Sequence, residues 1–187
     1  MKRCAWVSSD PLYIQYHDEE WGVPVRDDKK LFEFLILETF QAGLSWITIL
    51  RKRENFRKAF DFFDYERIAN YTEEKEQELL LDAGIIRNKL KIKATISNAQ
   101  AFMKVQKDFG SFNEYIWSFV NGKPVQNKFK SLDEVPASTD LSNQVSKDLK
   151  RRGFKFVGST VIYAHMQATG MVNDHTTDCF RYDEVKR

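Results

Sequence analysis

The chain has 187 residues, of which 42% are hydrophobic and 30% charged, and its formal net charge is +2. This composition is ordinary for a soluble globular protein with a good core. No apolar run approaches the roughly 18 residues of a membrane span, and no apolar region follows the N-terminus, so we expect neither a membrane anchor nor a signal peptide. The weak positive charge permits binding to nucleic acid but does not by itself predict it.

Helical spacing of apolar residues dominates the sequence, which predicts an all-α protein folded as a single domain over residues 1–187. The first predicted helix runs from about Lys29 to a break at Gly43, and Ser45 can cap the next one. The later predicted helices are Trp46 to about Phe60, Tyr65–Asn70, Glu73–Asp82, Asn88 to about Asp108, Phe112–Val120, Leu141–Arg151 and Ser159–Ala168. Residues 122–140 are predicted to form a connecting loop, and the chain from Asn173 onward to be irregular.

The segment 141–169 predicts two helices joined by a short hairpin that Gly153 and Gly158 bracket. Such a turn before a helix exposes backbone N–H groups, which suit a phosphate oxygen of DNA, aided by the helix dipole. Lys155, with Lys150 and Arg151 nearby, would add positive charge. The alternative is a plain helical hairpin whose glycines only end and begin helices.

Both cysteines of the chain have a histidine nearby, and the two pairs lie at opposite ends. Cys4 and His17 are separated by twelve residues, and His175 and Cys179 by three, so that one helical turn would bring the second pair together. Together they form a Cys2His2 set, which is typical of a closed, structural zinc site. One alternative is a disulfide, although nothing indicates an oxidising compartment. The other is two unrelated cysteines and two histidines that are satisfied by other hydrogen bonds. His165, on an apolar helix face, is predicted to be a core histidine.

Glu38 falls on a helix face that is otherwise made of Leu31, Phe34 and Leu35. A carboxylate there is expensive to bury unless something binds it. The helix break at Gly43 can present neighbouring residues at a surface and turn Trp46 back toward Glu38. The alternatives are a solvated or salt-bridged Glu38, and simple core packing for the aromatic residues.

These residues stand in long, specific blocks that run from end to end and closely resemble the 3-methyladenine DNA glycosylases I, a bacterial branch of the helix-hairpin-helix glycosylases. Among the matching blocks are Tyr16-His17-Asp18-x-Glu20-Trp21-Gly22-Val23-Pro24, Gln41-Ala42-Gly43-Leu44-Ser45-Trp46, Arg152-Gly153-Phe154-Lys155-Phe156-Val157-Gly158 and Val172-Asn173-Asp174-His175. The resemblance implies a helix-hairpin-helix fold with one structural zinc ion that joins the N- and C-terminal segments.

The resemblance also implies roles for individual residues. Cys4, His17, His175 and Cys179 match the zinc ligands, and Glu38 matches the carboxylate that recognises the base. Tyr16, assigned to catalysis with Glu38, and Trp46 match the residues that sandwich the flipped base. The lining of the base pocket is assigned to Tyr13, Trp6 and Trp21, and the contacts with DNA to Gln41, Gly43, Leu44, Gly153, Lys155 and Gly158. Leu44 is expected to enter the DNA stack.

The activity that the resemblance implies is removal of 3-methyladenine from double-stranded DNA by hydrolysis of the N-glycosyl bond. Asp174 directly precedes His175, so we do not expect it to serve as a catalytic aspartate. The hairpin offers no candidate Schiff-base lysine, which predicts a monofunctional enzyme without strand cleavage. Free 3-methyladenine is expected as product ligand, without a membrane or an obligate protein partner. The expected location is the bacterial cytoplasm, at the nucleoid.

Two other functions remain possible at this point. A protein of the same fold could bind damaged DNA without cutting it, and a base-release assay separates that function from a glycosylase. A zinc hydrolase acting on another substrate would need three protein ligands and an open position, so a site with four protein ligands would exclude it.

Overall fold

The structure is a computed structural model, and it describes residues 1–186. Within that range the chain forms ten α-helices and two very short strands. The helices are α1 (Pro11–Glu19), α2 (Asp28–Gln41), α3 (Trp46–Ala59), α4 (Tyr65–Ile68), α5 (Glu73–Leu81), α6 (Lys89–Phe109), α7 (Phe112–Ser118), α8 (Asp140–Arg151), α9 (Ser159–Ala168) and α10 (Arg181–Glu184). The strands β1 (Val125–Gln126) and β2 (Val172–Asn173) pair in parallel. No helix of residues 1–186 is long and apolar enough to cross a bilayer.

Helix α2 occupies the centre of the molecule, and α3, α6, α7 and α9 pack around it. Its residues from Phe34 to Phe40 are all buried, as are Leu31 and Phe32. A helix that is apolar on every side is stable only when it is enclosed by other elements. Glu38 is therefore carried into the interior by the helix that the whole domain is built around.

The chain returns to its own N-terminal segment after α9. The backbone N–H groups of Gly22 and Val25 donate to the carbonyl oxygens of Gln167 and Thr169, at 3.1 and 2.9 Å. Gly170 has φ +70°, and a Cβ there would lie 2.5 Å from the backbone of Val23 and Pro24. This close approach brings the two ends of the chain together, and with them the four predicted metal ligands.

The predicted hairpin between α8 and α9 is confirmed, and other side chains hold it in place. Gly153 has φ +95° where α8 ends, which glycine adopts without strain. Asn98 of α6 accepts from the backbone N–H of Lys155 at 2.7 Å and donates to its carbonyl at 3.0 Å. Ser146 donates to the carbonyl of Val157 at 2.6 Å. The hairpin backbone is thus fixed before any ligand arrives.

Three segments differ from the sequence-based prediction. The helix α1 was not predicted, although Asp10 caps its N-terminus and Pro11 occupies its first turn. The predicted loop 122–140 contains β1 and a turn of 3-10 helix at Leu132–Glu134, and the end of the chain, predicted to be irregular, includes β2 and α10. The two strands, the 3-10 turn and α10 have only two to four residues each and are too short to show a hydrophobic periodicity. Only the segments that they contact in the fold reveal them.

Candidate functional site

A cavity of about 200 Å³ opens between α1, α2, the start of α3 and α9. All six residues predicted for the base pocket line it, namely Trp6, Tyr13, Tyr16, Trp21, Glu38 and Trp46, and so does Gln41, which was predicted to contact DNA. Five of these seven side chains are aromatic. No Lys, Arg or His of residues 1–186 is among the lining residues, whereas two carboxylic acids, Glu38 and Asp174, are. The cavity therefore favours a flat ligand with positive charge.

Three polar atoms at this cavity are buried without a hydrogen-bond partner. They are Nε1 of Trp6, Oε2 of Glu38 and Nε1 of Trp46, out of five such side-chain atoms in residues 1–186. A buried polar group without a partner costs free energy, so folded proteins tolerate few of them. Their concentration in one cavity, as two N–H donors and one carboxyl group, indicates a site shaped for a polar ligand.

Glu38 is only 4% exposed, and burial raises the pKa of its carboxyl group to about 8. It has no hydrogen-bond donor within residues 1–186 that would stabilise the ionised form. A cation placed against it would favour ionisation, because an opposite charge lowers the pKa of a carboxyl group. The predicted solvated or salt-bridged alternatives for Glu38 are excluded by this geometry.

Tyr16 and Trp46 face each other across the cavity, but their rings are not parallel. The ring centroids lie 5.6 Å apart with an interplanar angle of 48°. Two stacking gaps of about 3.5 Å each would need about 7 Å between parallel rings. The predicted sandwich therefore requires one of the rings to turn as the ligand enters. Trp46 is the first residue of α3, directly after the loop 42–45, where such a movement is easiest.

Burial and the neighbouring Glu38 both raise the pKa of the Tyr16 hydroxyl well above its usual value. Tyr16 therefore remains a hydrogen-bond donor at neutral pH. The other aromatic rings form a packed wall, in which the ring of Trp6 lies 5.0 Å from those of Tyr13 and Trp21. This wall gives one side of the cavity a rigid apolar surface.

The loop 42–45 lies where α2 ends, next to a second hollow that adjoins the cavity. Gly43 has φ +82°, and Leu44 is 39% exposed. Leu44, Gln41 and Gly43 line this hollow together with Thr160 and Val161 from the first turns of α9. Ser45 directly precedes α3 as predicted, but its hydroxyl group is hydrogen-bonded to that of Thr48 and does not cap the helix. The loop and the first turn of α9 thus flank one entrance.

A buried lysine that carries no signal in the sequence supports this loop. Lys91 of α6 donates to the carbonyl oxygens of Phe40 and Ala42, at 3.3 and 3.4 Å. Carbonyls at a helix C-terminus have no partner within the helix, and a cation is favourable there. The contact spans the domain, so no local pattern around Lys91 predicts it.

The four predicted metal ligands meet in one buried cluster. One ligand atom from each of Cys4, His17, His175 and Cys179 lies within 4.8 Å of the others. The Sγ atoms lie 3.5–3.6 Å from the histidine nitrogens facing them. A tetrahedral zinc ion with the usual bond lengths puts S and N about 3.6 Å apart. The donor set and spacing fit such an ion, and both cysteines are free thiols rather than a disulfide.

Both histidines of the cluster are oriented by a second hydrogen bond. Nδ1 of His17 donates to Asp18 at 2.7 Å, and Asp18 is itself paired with Arg3. Nε2 of His175 donates to the carbonyl of Trp21 at 3.0 Å. Metal-bound histidines almost always use their second nitrogen in this way, since it fixes the ring and the tautomer. His175 and Cys179 are brought together by bends and turns of an irregular segment and not by a helical turn.

The remaining histidine and Asp174 serve other purposes. His165 is buried, donates to the carbonyl of Leu31 at 3.1 Å and has its pKa lowered to about 4 by burial, so it is a neutral core histidine as predicted. Asp174 lines the cavity and accepts hydrogen bonds from Asn127, Tyr163 and Gln167. Gln167 was not among the predicted site residues, since an isolated glutamine in a helix carries no signal.

Comparison with known proteins identifies close relatives of the chain. Residues 6–182 match the family model of methyladenine glycosylases. The chain is 53% identical to DNA-3-methyladenine glycosylase 1 of Escherichia coli K12 over 182 residues, which cover 97% of each protein. A crystal structure of a 3-methyladenine DNA glycosylase I, 55% identical, superposes with a TM-score of 0.93 over 96% of this chain and 98% of that one. The enzyme of Staphylococcus aureus, solved to explain 3-methyladenine recognition, superposes equally well at 38% identity, with 96% of each chain covered.

Proposed function

The chain belongs to the methyladenine glycosylase family, and on this premise we propose that it hydrolyses the N-glycosyl bond of 3-methyladenine in DNA. The observation that carries the proposal is the buried Glu38, which has no partner in a cavity with aromatic walls and no basic lining residue. Such a cavity distinguishes a cationic base from the neutral bases that surround it in DNA.

Alkylation at N3 gives adenine a positive charge while it is still attached to the sugar. Stacking on Tyr16 or Trp46 then adds a cation–π attraction of about 0.5–2 kcal/mol per ring. The positive charge also lowers the pKa of Glu38, which releases its proton to solvent as the base enters, and the resulting carboxylate accepts a hydrogen bond from the exocyclic amine. The N–H groups of Trp6 and Trp46 are available to ring nitrogens. An undamaged adenine forms the same neutral contacts but gains nothing from the charge.

The reaction requires the nucleotide to leave the helix, because a base stacked in the duplex would not reach the buried Glu38. Leu44, exposed on the loop at the entrance, would fill the gap in the stack. The hairpin with Gly153 and Gly158 would grip the DNA backbone, and the exposed Lys155 adds charge. These contacts orient the DNA so that the flipped base faces Glu38.

A cationic base is a good leaving group, so little acid catalysis is needed. The cavity holds the departing base, while Tyr16 remains a hydrogen-bond donor beside it. The three donors that surround Asp174 occupy its carboxylate, which argues against its use as a general base for water. The lining of the cavity within residues 1–186 includes no lysine, which supports hydrolysis without a Schiff base or strand cleavage.

The cluster of Cys4, His17, His175 and Cys179 would hold one zinc ion in a structural role. Four protein ligands complete a tetrahedron, so no position is left for a catalytic water. This argues against a zinc hydrolase. Cys4 lines the cavity as well as the cluster, so an ion there would stabilise the wall of the base pocket by joining the two ends of the chain.

A base-release assay on DNA treated with a methylating agent tests the proposal. We expect 3-methyladenine in the soluble fraction, intact strands before alkaline treatment, and no covalent adduct after borohydride reduction. Binding to methylated DNA without base release would instead make the protein a damage-binding module, and a trapped adduct would contradict the monofunctional mechanism.

A further inference from the structure

Gln167 lines the cavity from α9, and its side-chain amide is held in one orientation. Its Nε2 donates to Oδ2 of Asp174 at 2.9 Å. The same carboxylate accepts from Nδ2 of Asn127 at 2.7 Å and from the hydroxyl of Tyr163. Three donors thus converge on the two oxygens of a residue that is only 2% exposed.

This network determines which end of the Gln167 amide is available. The amide of Gln167 turns its NH2 towards Asp174, because Nε2 is the atom that lies within hydrogen-bond distance of Oδ2. The carbonyl Oε1 is the remaining polar atom, and no donor of residues 1–186 bonds to it. Asp174 is therefore a positioning residue, and Gln167 offers an acceptor at the cavity rather than a donor.

Glu38 and Gln167 lie on the packed helices α2 and α9, and both line the cavity as well as the adjoining hollow. Resting on the function proposed above, we propose that Gln167 determines specificity by accepting the second N–H of the exocyclic amine, while Glu38 accepts the first. An amine satisfies two acceptors at once. A 6-oxo base would place its own oxygen against them, and this unfavourable contact rejects it.

The test compares free 3-methyladenine with its 6-oxo analogue, 3-methylhypoxanthine, by isothermal titration calorimetry on the zinc-loaded full chain. Gln167→Met keeps the length of the side chain and removes the acceptor. Tyr163→Phe removes a different donor from the same oxygen of Asp174 and leaves Oε1 of Gln167 in place. Gln100→Met changes an exposed glutamine of α6 as a matched control.

We expect Gln167→Met to bind 3-methyladenine about tenfold more weakly, because one hydrogen bond to the exocyclic amine is lost. The 6-oxo analogue should bind at least as tightly as it does to the wild type, because the contact between its 6-oxygen and Oε1 of Gln167 is removed. The preference of the wild-type protein should therefore fall at least about tenfold. Tyr163→Phe and Gln100→Met should retain that preference.

Two results overturn the assignment. In one, Gln167→Met keeps the wild-type preference or lowers the affinity for both ligands equally, which would make Gln167 a packing residue. In the other, Tyr163→Phe loses the preference for 3-methyladenine as fully as Gln167→Met does. The preference would then depend on the whole hydrogen-bond network around Asp174 and not on Gln167 itself. If either result is found and the wild-type protein still releases 3-methyladenine from DNA, the proposed function is retained and only the role of Gln167 is wrong.

Discussion

Gly22 lies against the ring of His175, so that a Cβ atom at Gly22 would be 2.9 Å from Nε2 of the histidine. That nitrogen donates to the carbonyl of Trp21, the preceding residue. The glycine therefore leaves room for the hydrogen bond that orients a ligand of the proposed zinc site. A side chain at this position would push the ring away from the cluster.

Gly22→Ala should weaken the metal site and lower the free energy of unfolding. Orienting partners of metal ligands typically contribute 10- to 100-fold to affinity, so we expect a loss of about that size in a zinc competition assay. Gly122→Ala is the matched control, since Gly122 has φ +72° and a Cβ atom there would meet nothing within 4 Å. It should show only backbone strain of about 1 kcal/mol. Equal zinc affinities in the two variants would refute the steric argument.

Removal of the metal should loosen the ends of the chain before the core. A strong chelator is expected to lower the melting temperature and to speed hydrogen exchange at residues 2–6 and 174–180, which the cluster joins. Cys4→Ser should have the same effect without chelator. Readdition of zinc should restore the chelated protein. A chelated protein of unchanged stability and exchange would remove the structural role of the ion.

Glu38 should make the unliganded protein less stable as pH rises. Its pKa is about 8 in the folded protein, against an ordinary value of 4.5. The folded state thus binds the proton more tightly than the unfolded state, and the stabilisation by neutral Glu38 is lost as pH rises from about 5 to 8. Glu38→Gln removes this dependence. In urea unfolding at several pH values, the free energy of unfolding of the variant should rise relative to that of the wild type by about 1 kcal/mol per pH unit in this range. Parallel curves for the two proteins would mean that Glu38 is ionised or solvated.

Lys91→Met should affect DNA binding more than binding of the free base. The substitution keeps the apolar stem but leaves the carbonyls of Phe40 and Ala42 without their donor, so the loop 42–45 becomes less ordered. We expect several-fold weaker binding to DNA with an abasic site and nearly unchanged affinity for 3-methyladenine. Lys89→Met, at an exposed position of the same helix, serves as the control for the lost charge. Equal losses in the two variants would assign the effect to charge alone.

The residues that carried a local signal were found from the sequence. The long helices followed from periodic apolar residues, and Glu38 stood out because it interrupts an apolar face that the structure buries. Cys4, His17, His175 and Cys179 were selected by type and pairing, although their meeting depends on the return of the chain past Gly170. The members of the cluster were therefore predictable, while the turns that bring Cys179 to it were not.

Features that depend on tertiary contacts were not predicted from the sequence. Lys91 reaches α2 from α6, and Gln167 acquires its orientation from Asp174, which lies beyond the end of its own helix. The tilt between Tyr16 and Trp46 likewise depends on how α1 and α3 pack. No periodicity or spacing in the sequence encodes these relationships, because each is fixed by two segments that are distant in the chain.

We propose above all that Glu38 recognises a cationic base for excision. Single-turnover release of 3-methyladenine from methylated DNA should be measured for wild type, Glu38→Gln and the exposed control Glu19→Gln, with excess enzyme at one pH. We predict rapid release by wild type and Glu19→Gln, and release at least about tenfold slower for Glu38→Gln, as for loss of a hydrogen bond to a charged group. Release by Glu38→Gln at the wild-type rate would contradict the claim.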